Sequence, residues 1–308
     1  MDVPVTKQAG KIRRRRLVNN EDIHFYVMLL PFLVLFFLFT ILPVLSSVGL
    51  SFFRYDMISL PKWAGLQNYL RMFVQDEIFL KTILNTLKFA VITGPVSYFL
   101  AFLLAWFISE FRPLIRNILS FLFYVPALTG NAYFIWQVAF SGDSYGYANS
   151  FLLSMGLIDE PINWFYNTSF NFPLLILVQL WTSMGISFLA DIAGLQNVNP
   201  EMYEAGALDG IRTRWHELWY ITLPSMKDIL LFGAVMQIQV TFSIGTSITA
   251  LAGYPSIDNS VDTIVSHLSD VATVRYEMGY AAAISVLLFL MMAITRVLVG
   301  KILNFLGR

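Results

Sequence analysis

Apolar residues along this chain gather into six long stretches separated by polar segments. A helix needs about 20 mostly apolar residues to cross a bilayer. Phe25 to Phe53 carries no charge. Phe89 to Ile108, Asn117 to Phe140, Phe172 to Ala190 and Ile229 to Leu251 follow, and Met278 to Thr295 continues past Arg296 to Gly300. Arg296 lies near an end, where its long side chain reaches the headgroups. Pro31, Pro43, Pro95 and Pro126 fall inside these stretches. In a bundle, neighbouring helices can satisfy the carbonyls that proline frees. The pattern predicts an all-α polytopic membrane protein with six transmembrane helices. The first stretch is too long for a cleavable signal peptide, and no small-residue cleavage site follows it.

Composition narrows the class. Hydrophobic residues make up 57% of the 308 residues and charged residues 13%, against about 45–50% and about 25% in soluble domains. An ordinary soluble enzyme and a disordered chain are excluded. The 20 Lys and Arg balance 20 Asp and Glu, which argues against a nucleic-acid partner. With no Cys, there is no disulfide framework, Cys-based zinc site or thiol nucleophile. His24, His216 and His267 are far apart and lack metal-ligand spacing.

The distribution of charge matters more than its sum. If the N-terminus is inside, segments 1–24, 109–116, 196–228 and the tail hold fourteen of the 20 basic residues, and the outer loops 54–82, 141–171 and 253–277 hold five. Basic residues mark the cytoplasmic side, so both termini are expected there. Arg13 to Arg16 form the main anchor, suited to anionic headgroups. The expected organisation is a basic arm over 1–24, a transmembrane domain over 25–303 and a short tail over 304–308. Trp63, Trp106, Trp136, Trp164 and Tyr280 sit near the expected span ends, as interfacial belts require.

Between their ends the spans contain almost no ionisable residue; Asp191 sits at the cytoplasmic end of the fourth. Ion-coupled carriers need buried carboxylates or His, and an intramembrane enzyme needs an acid–base or nucleophile–base pair. What remains is neutral and polar: Thr129, Asn131 and Gln137 in the third span, Gln179, Thr182 and Ser183 in the fourth, and Gln237, Gln239, Thr241, Ser243 and Thr246 in the fifth. Such groups hold helices together in many bundles. They could instead line a path for a neutral, hydroxyl-rich solute such as a sugar, with aromatic faces supplied by Trp136 and Trp181. The candidate path comprises Asn131, Trp136, Gln179, Trp181, Gln237, Gln239, Thr241 and Ser243.

The cytoplasmic loop between spans four and five, 196–228, has the most specific pattern. Asn199 suits an N-cap and Pro200 the first helical position. Glu201 falls in the first turn, where the helix dipole favours an anion, and Gly210 suits the C′ stop. A helix over 200–209 follows, about 15 Å long. Its middle, Ala205-Gly206-Ala207, would let another surface approach the backbone closely. Thr213 can cap a second short helix with an apolar stripe of Trp215, Leu218 and Trp219, limited by Pro224. The pair of helices could lie on the membrane surface or dock a cytoplasmic partner.

Glu204-Ala205-Gly206, Asp209-Gly210 and Ile221-x-Leu223-Pro224 resemble the "EAA" loop of ABC importer permeases. The family pattern is Glu-Ala-Ala, three residues, Gly, a spacer, then Ile-x-Leu-Pro. Here Gly206 replaces the second Ala, and ten residues separate Gly210 from Ile221, one more than usual. Asp-Gly followed by Arg-Trp and Ile-Thr-Leu-Pro resembles the carbohydrate, maltose-type branch, as do Asn149, Leu153 and Gly156 and the segment Gly65-Leu66-Gln67-Asn68-Tyr69.

The resemblance implies a subunit of the bacterial cell membrane that forms a sugar pathway with a second permease. Two ATPase subunits would dock beneath it, and an extracytoplasmic binding protein would deliver the solute. Glu201, Glu204, Ala205, Gly206, Asp209 and Gly210 would form the coupling helix that seats in the ATPase. No cofactor is implied for this chain; ATP and Mg would serve the partner, since the Walker A pattern is absent here. The rivals are a stand-alone secondary carrier for a neutral polar solute, an ABC permease for a non-sugar solute and a membrane scaffold. Asp258, Asp262, Asp270 and Glu277 make the last outer loop acidic, read either as solvation or as a binding-protein contact.

Overall fold

The computed structural model describes residues 20–306. The Arg13 to Arg16 anchor, most of the expected basic arm and the last two residues of the tail lie outside them. The described residues fall into two units, 20–49 and 50–306. The first is helical. It contains nearly all of the span α1 (Tyr26–Leu50), whose hydrogen bonding widens to a π-turn at Phe37–Ile41 between Pro31 and Pro43. A wide turn of this kind is a common way for a helix to absorb a local break in its bonding ladder.

The second unit opens with a two-stranded antiparallel hairpin, β1 (Phe53–Arg54) and β2 (Lys62–Trp63). The helices α2 (Gln67–Val74), α3 (Glu77–Ser109), α4 (Pro113–Leu128), α5 (Phe134–Ala139) and α6 (Tyr147–Ser154) follow. Next come α7 (Asn171–Thr182), α8 (Ile186–Asn197), α9 (Pro200–Leu208) and α10 (Arg214–Glu217). The chain closes with α11 (Lys227–Phe242), α12 (Gly245–Ala252), α13 (Ile264–Thr273) and α14 (Met278–Leu306). Helix α3 packs along α8 and α11, and α11 along α8. Around this group, Phe89, Leu175, Val178, Ile248 and Leu251 make one buried cluster. Met72, Phe79, Ile264, Tyr280 and Ile284 make another.

Among the described residues, four helices are long and apolar enough to cross a membrane: Tyr26–Leu50, Glu77–Ser109, Lys227–Ala252 and Met278–Leu303. The pair α7 and α8, bent by 42° at Ser183–Gly185, makes a fifth if taken as one span. The expected continuous third span, Asn117 to Phe140, is not formed. Helix α4 starts earlier, at Pro113, and stops at Leu128. Pro126 supplies no amide for the last turn, the Thr129 hydroxyl donates back to the Val125 carbonyl at 2.8 Å, and Gly130-Asn131 carry turn chemistry. The second span begins well before its apolar run because the Asp76 side chain caps α3, accepting from the Phe79 N–H at 2.9 Å.

Candidate functional site

The loop expected to couple to a partner is built largely as its residues dictate. The Asn199 side chain accepts from the Glu201 N–H at 3.1 Å, and α9 begins at Pro200. Gly210 has φ +92°, the left-handed stop only glycine adopts without strain. The Thr213 side chain accepts from the His216 N–H and starts α10. The helical path then runs through a π-turn at Leu218–Thr222 and past Pro224 to Ser225. Pro224 therefore does not end the second short helix, because it sits in the first turn of the next helical piece, where its missing N–H costs nothing.

Glu201, Glu204, Ala205, Asp209 and Gly210 are exposed on α9, whereas Gly206 is buried. A Cβ at Gly206 would lie 2.6 Å from Cδ1 of Ile221, so its smallness is used by this chain's own Ile221. Tyr203 and Thr222 share a hydroxyl–hydroxyl hydrogen bond of 3.0 Å. Together these contacts seat α9 on the 214–225 segment. Leu208, 91% exposed at the tip, and Met202 add apolar surface beside the acidic residues. Sequence reasoning passed over both because they look like ordinary helix residues. Of the Trp215, Leu218, Trp219 stripe, only Leu218 is buried.

The break after α4, the bend between α7 and α8 and the end of α11 line an open-sided cavity of about 330 Å³. Of the candidate path residues it brings together Gln179, Gln237, Gln239 and Ser243. Asn131, Trp136, Trp181 and Thr241 are not among its lining. Asn131 instead accepts from the Tyr133 hydroxyl at 3.1 Å. Trp136 and Trp181 pack edge to face 5.7 Å apart. Thr241 donates to the Gln237 carbonyl at 2.8 Å and faces a separate apolar pocket. The lining also includes Thr129, Tyr133, Thr182, Ser183, Ser187 and Ser247. The turn residues Thr129-Gly130-Asn131 and Ser183-Met184-Gly185 were the available signal, because helix breaks within apolar runs expose backbone and side-chain polar groups to a cavity.

Within this wall the Ser187 hydroxyl donates to Gln237 Oε1 at 3.3 Å. Gln237 Nε2 is buried and has no partner among the described residues, as are both oxygens of Asp191. Gly233 of α11 faces Asp191, Ser187 and Tyr98. Among the described residues no group of three His, Asp or Glu side chains is placed to hold a metal ion.

On the opposite end of α3, Asp76 ties three helices together. His267 Nε2 donates to its Oδ2 at 3.0 Å and the Tyr280 hydroxyl does so at 2.7 Å. With the Nε2 proton so placed, Nδ1 of a neutral ring accepts from the Tyr254 hydroxyl at 2.9 Å. Burial would raise the Asp76 carboxyl, but the bonds from His267, Tyr280 and the Phe79 amide outweigh it and hold the group far below the usual carboxylate range. Tyr280, expected in an interfacial belt, is buried here, and the Arg71 guanidinium stacks 4.3 Å above its ring.

The acidic last loop is less solvated than its composition suggests. Asp262 is buried and accepts from the Ser256 amide, Asp270 pairs with Arg275 and Glu277 with Arg71. Asn149 is fully buried and donates to the carbonyls of Ser141, Asp143 and Ile162 while accepting from Ile162 N–H and Trp164 Nε1. Asn68 of the Gly65–Tyr69 segment donates to the carbonyls of Ser51 and Phe53.

Helices of crossing length, a polar cavity among them and a capped two-helix loop at one end define a polytopic membrane protein of the permease kind. No protein-family model matches the chain. The chain is 30% identical over 297 residues to the probable ABC transporter permease protein YesP of Bacillus subtilis, covering 94% of each. It is 31% identical over 304 residues to the arabinooligosaccharides transport system permease protein AraP of the same organism, covering 97% of this chain and 94% of that one. With the lactose transport system permease protein LacF of Rhizobium radiobacter it shares 27% over 293 residues. The chain belongs to the ABC transporter permease family. Its fold matches a bacterial ABC transporter involved in import of the acidic polysaccharide alginate, with a TM-score of 0.77 at 22% identity over 94% of this chain and 97% of that one.

Proposed function

We propose that this permease is the membrane subunit of an ATP-driven importer for a sugar or oligosaccharide. With a second permease it forms the pathway, two ATPase subunits dock beneath, and an extracytoplasmic binding protein delivers the solute. ATP and Mg act on the partner ATPase. The observation that carries the substrate class is the cavity of about 330 Å³, whose polar lining groups are all neutral amides and hydroxyls, set among apolar residues such as Ile186, Met236 and Val240, with no charged side chain. Such a wall offers donors and acceptors to hydroxyl groups without the cost of a buried charge. The solutes in the names of AraP and LacF, arabinooligosaccharides and lactose, are of the same chemistry.

The proposed topology has six crossings in the bacterial cell membrane with both termini cytoplasmic. The four long helices and the bent pair give five, and α4 with the turn after it gives the third in order. Residues 25–303 then form the transmembrane domain, and α9 is the coupling helix. Glu201, Glu204 and Asp209 present carboxylates to the ATPase, Ala205 keeps the contact close, Gly210 makes the turn, and Gly206 fixes the seat of α9 on Ile221.

Co-expression of the four kinds of subunit tests this reading. Glu204→Lys is expected to insert normally while ATPase co-purification, or ATPase activity stimulated by loaded binding protein, is lost. Wild-type co-purification and stimulation in that variant would overturn the docking assignment. Stimulation of the intact complex by no sugar-loaded binding protein would overturn the substrate class.

A further inference from the structure

The loop that carries α9 is fastened to the second span as well as to the two helices it joins. Below the last turn of α3, Phe102 and Trp106 pack with Leu218, Ile221 and Met226. The Trp106 and Trp215 rings lie 5.3 Å apart. At the rim, Arg214 Nη2 donates to Oε2 of Glu110, the residue that ends α3, at 2.9 Å. Its Nη1 donates to Oε2 of Glu217 at 2.8 Å. One guanidinium thus joins two carboxylates that lie 104 and three residues from it along the chain. Inside this rim remains a cavity of about 180 Å³, lined by Ser109, Arg116, Tyr203 and Thr222 among others, so close packing does not fill the joint.

We propose that Arg214 is a positioning residue of the transport cycle, a strap that fixes the angle between the coupling loop and α3. The inference rests on the reading of α9 as the coupling helix. Motion of α9 passes through Ile221 and Thr222 to the 214–225 segment, and Arg214 hands it to the end of α3. That helix of 33 residues is a lever roughly 50 Å long, packed along both α8 and α11, the helices that wall the cavity. Apolar contact alone is non-directional and permits rotation. A planar fork with both arms engaged sets an orientation. The exposure of the Arg214–Glu110 pair means it adds little to stability, so its effect belongs to coupling.

The test uses the complete complex in proteoliposomes and reads sugar uptake per ATP hydrolysed, with ATPase co-purification and thermal midpoint measured alongside. Arg214→Ala and Glu110→Ala are each expected to retain co-purification and midpoint while uptake per ATP falls by at least about fivefold, the low end of inter-site coupling. The double variant is expected to fall no further than either single one, because both remove one link. The chain has no cysteine of its own, so Glu110→Cys with Arg214→Cys can be joined by a flexible bismaleimide, which is expected to restore uptake per ATP. Unchanged uptake per ATP in Arg214→Ala, additive losses in the double variant or no recovery on cross-linking would overturn the strap. Loss of co-purification in Arg214→Ala would also overturn it, placing Arg214 in the docking surface. Failure of the coupling-helix reading shows separately, as unchanged ATPase docking in Glu204→Lys.

Discussion

Gln237 separates the two meanings that a neutral polar residue in a span can have. Its Oε1 accepts one bond from Ser187 on α8 at 3.3 Å, and its Nε2 is buried without a partner. Gln237→Leu removes both features at similar volume. The lost interhelical bond is worth about 0.6 kcal/mol within a membrane bundle. The relieved unpaired donor is worth about 1–3 kcal/mol. Ser187 can turn its hydroxyl to a carbonyl of the preceding turn, so the loss on its side is small. The balance favours the variant by about 1 kcal/mol, an upward shift of the thermal midpoint of about 1.5 °C for a chain of 308 residues. Transport moves the other way. One hydrogen bond to the solute, at about 0.5–1.5 kcal/mol, is about a 2- to 12-fold rise in the half-saturating concentration, taking 1.4 kcal/mol per tenfold. Purified protein in detergent gives the midpoint, and uptake by the reconstituted complex gives the concentration dependence. A lower midpoint with unchanged transport would refute the argument and make Gln237 interhelical glue.

Two further perturbations test the end of α3 away from the α9 loop and the Asn149 segment. Asn149→Ala strands the half-buried Ile162 amide and the Trp164 indole N–H, two donors at about 1–3 kcal/mol each; a loss of about 2–5 kcal/mol is expected in denaturant titrations followed by Trp emission, and a loss under about 1 kcal/mol would contradict it. Asp76 is held as a carboxylate, so its folded-state value lies below the unfolded one, and its contribution to stability is complete above the ordinary Asp value of about 3.9 and fades as pH falls through the folded value. The midpoint difference between wild type and Asp76→Asn should therefore be constant from pH 7 to about pH 5 and narrow only under more acid conditions; a gap that closes near neutrality would mean that Asp76 is not the carboxylate acceptor.

What the sequence disclosed and what it hid follow one physical division. Local rules were legible. The Asn199 cap, Pro200, the Gly210 stop and the Thr213 cap each act within a turn of the chain, so α9 begins and ends, and α10 begins, where those residues place them, whereas Pro224 does not set the end of the second short helix. Apolar run length likewise announced the helices that cross as single pieces. Breaks inside apolar runs were hidden, because hydropathy averages over the Thr129–Tyr133 turn and the Ser183–Gly185 bend. Yet those breaks are what turn Gln179, Ser187 and Ser243 toward one cavity and leave Asn131 and Thr241 outside it. Long-range pairing was hidden for a second reason. Nothing in the composition of an acidic loop tells which acids are solvated; Asp262 and Glu277 are bound by Ser256 and Arg71, and Asp76 collects His267 from 191 residues away. Gly206 shows both effects at once. Its small size is local and visible, but the surface it admits is Ile221 of the same chain. If α9 is the coupling helix, as proposed, its docking face is the opposite one, where Glu201, Glu204 and Leu208 are exposed. A partner groove that fits this face needs an apolar floor for Leu208 and basic or amide groups at its edges.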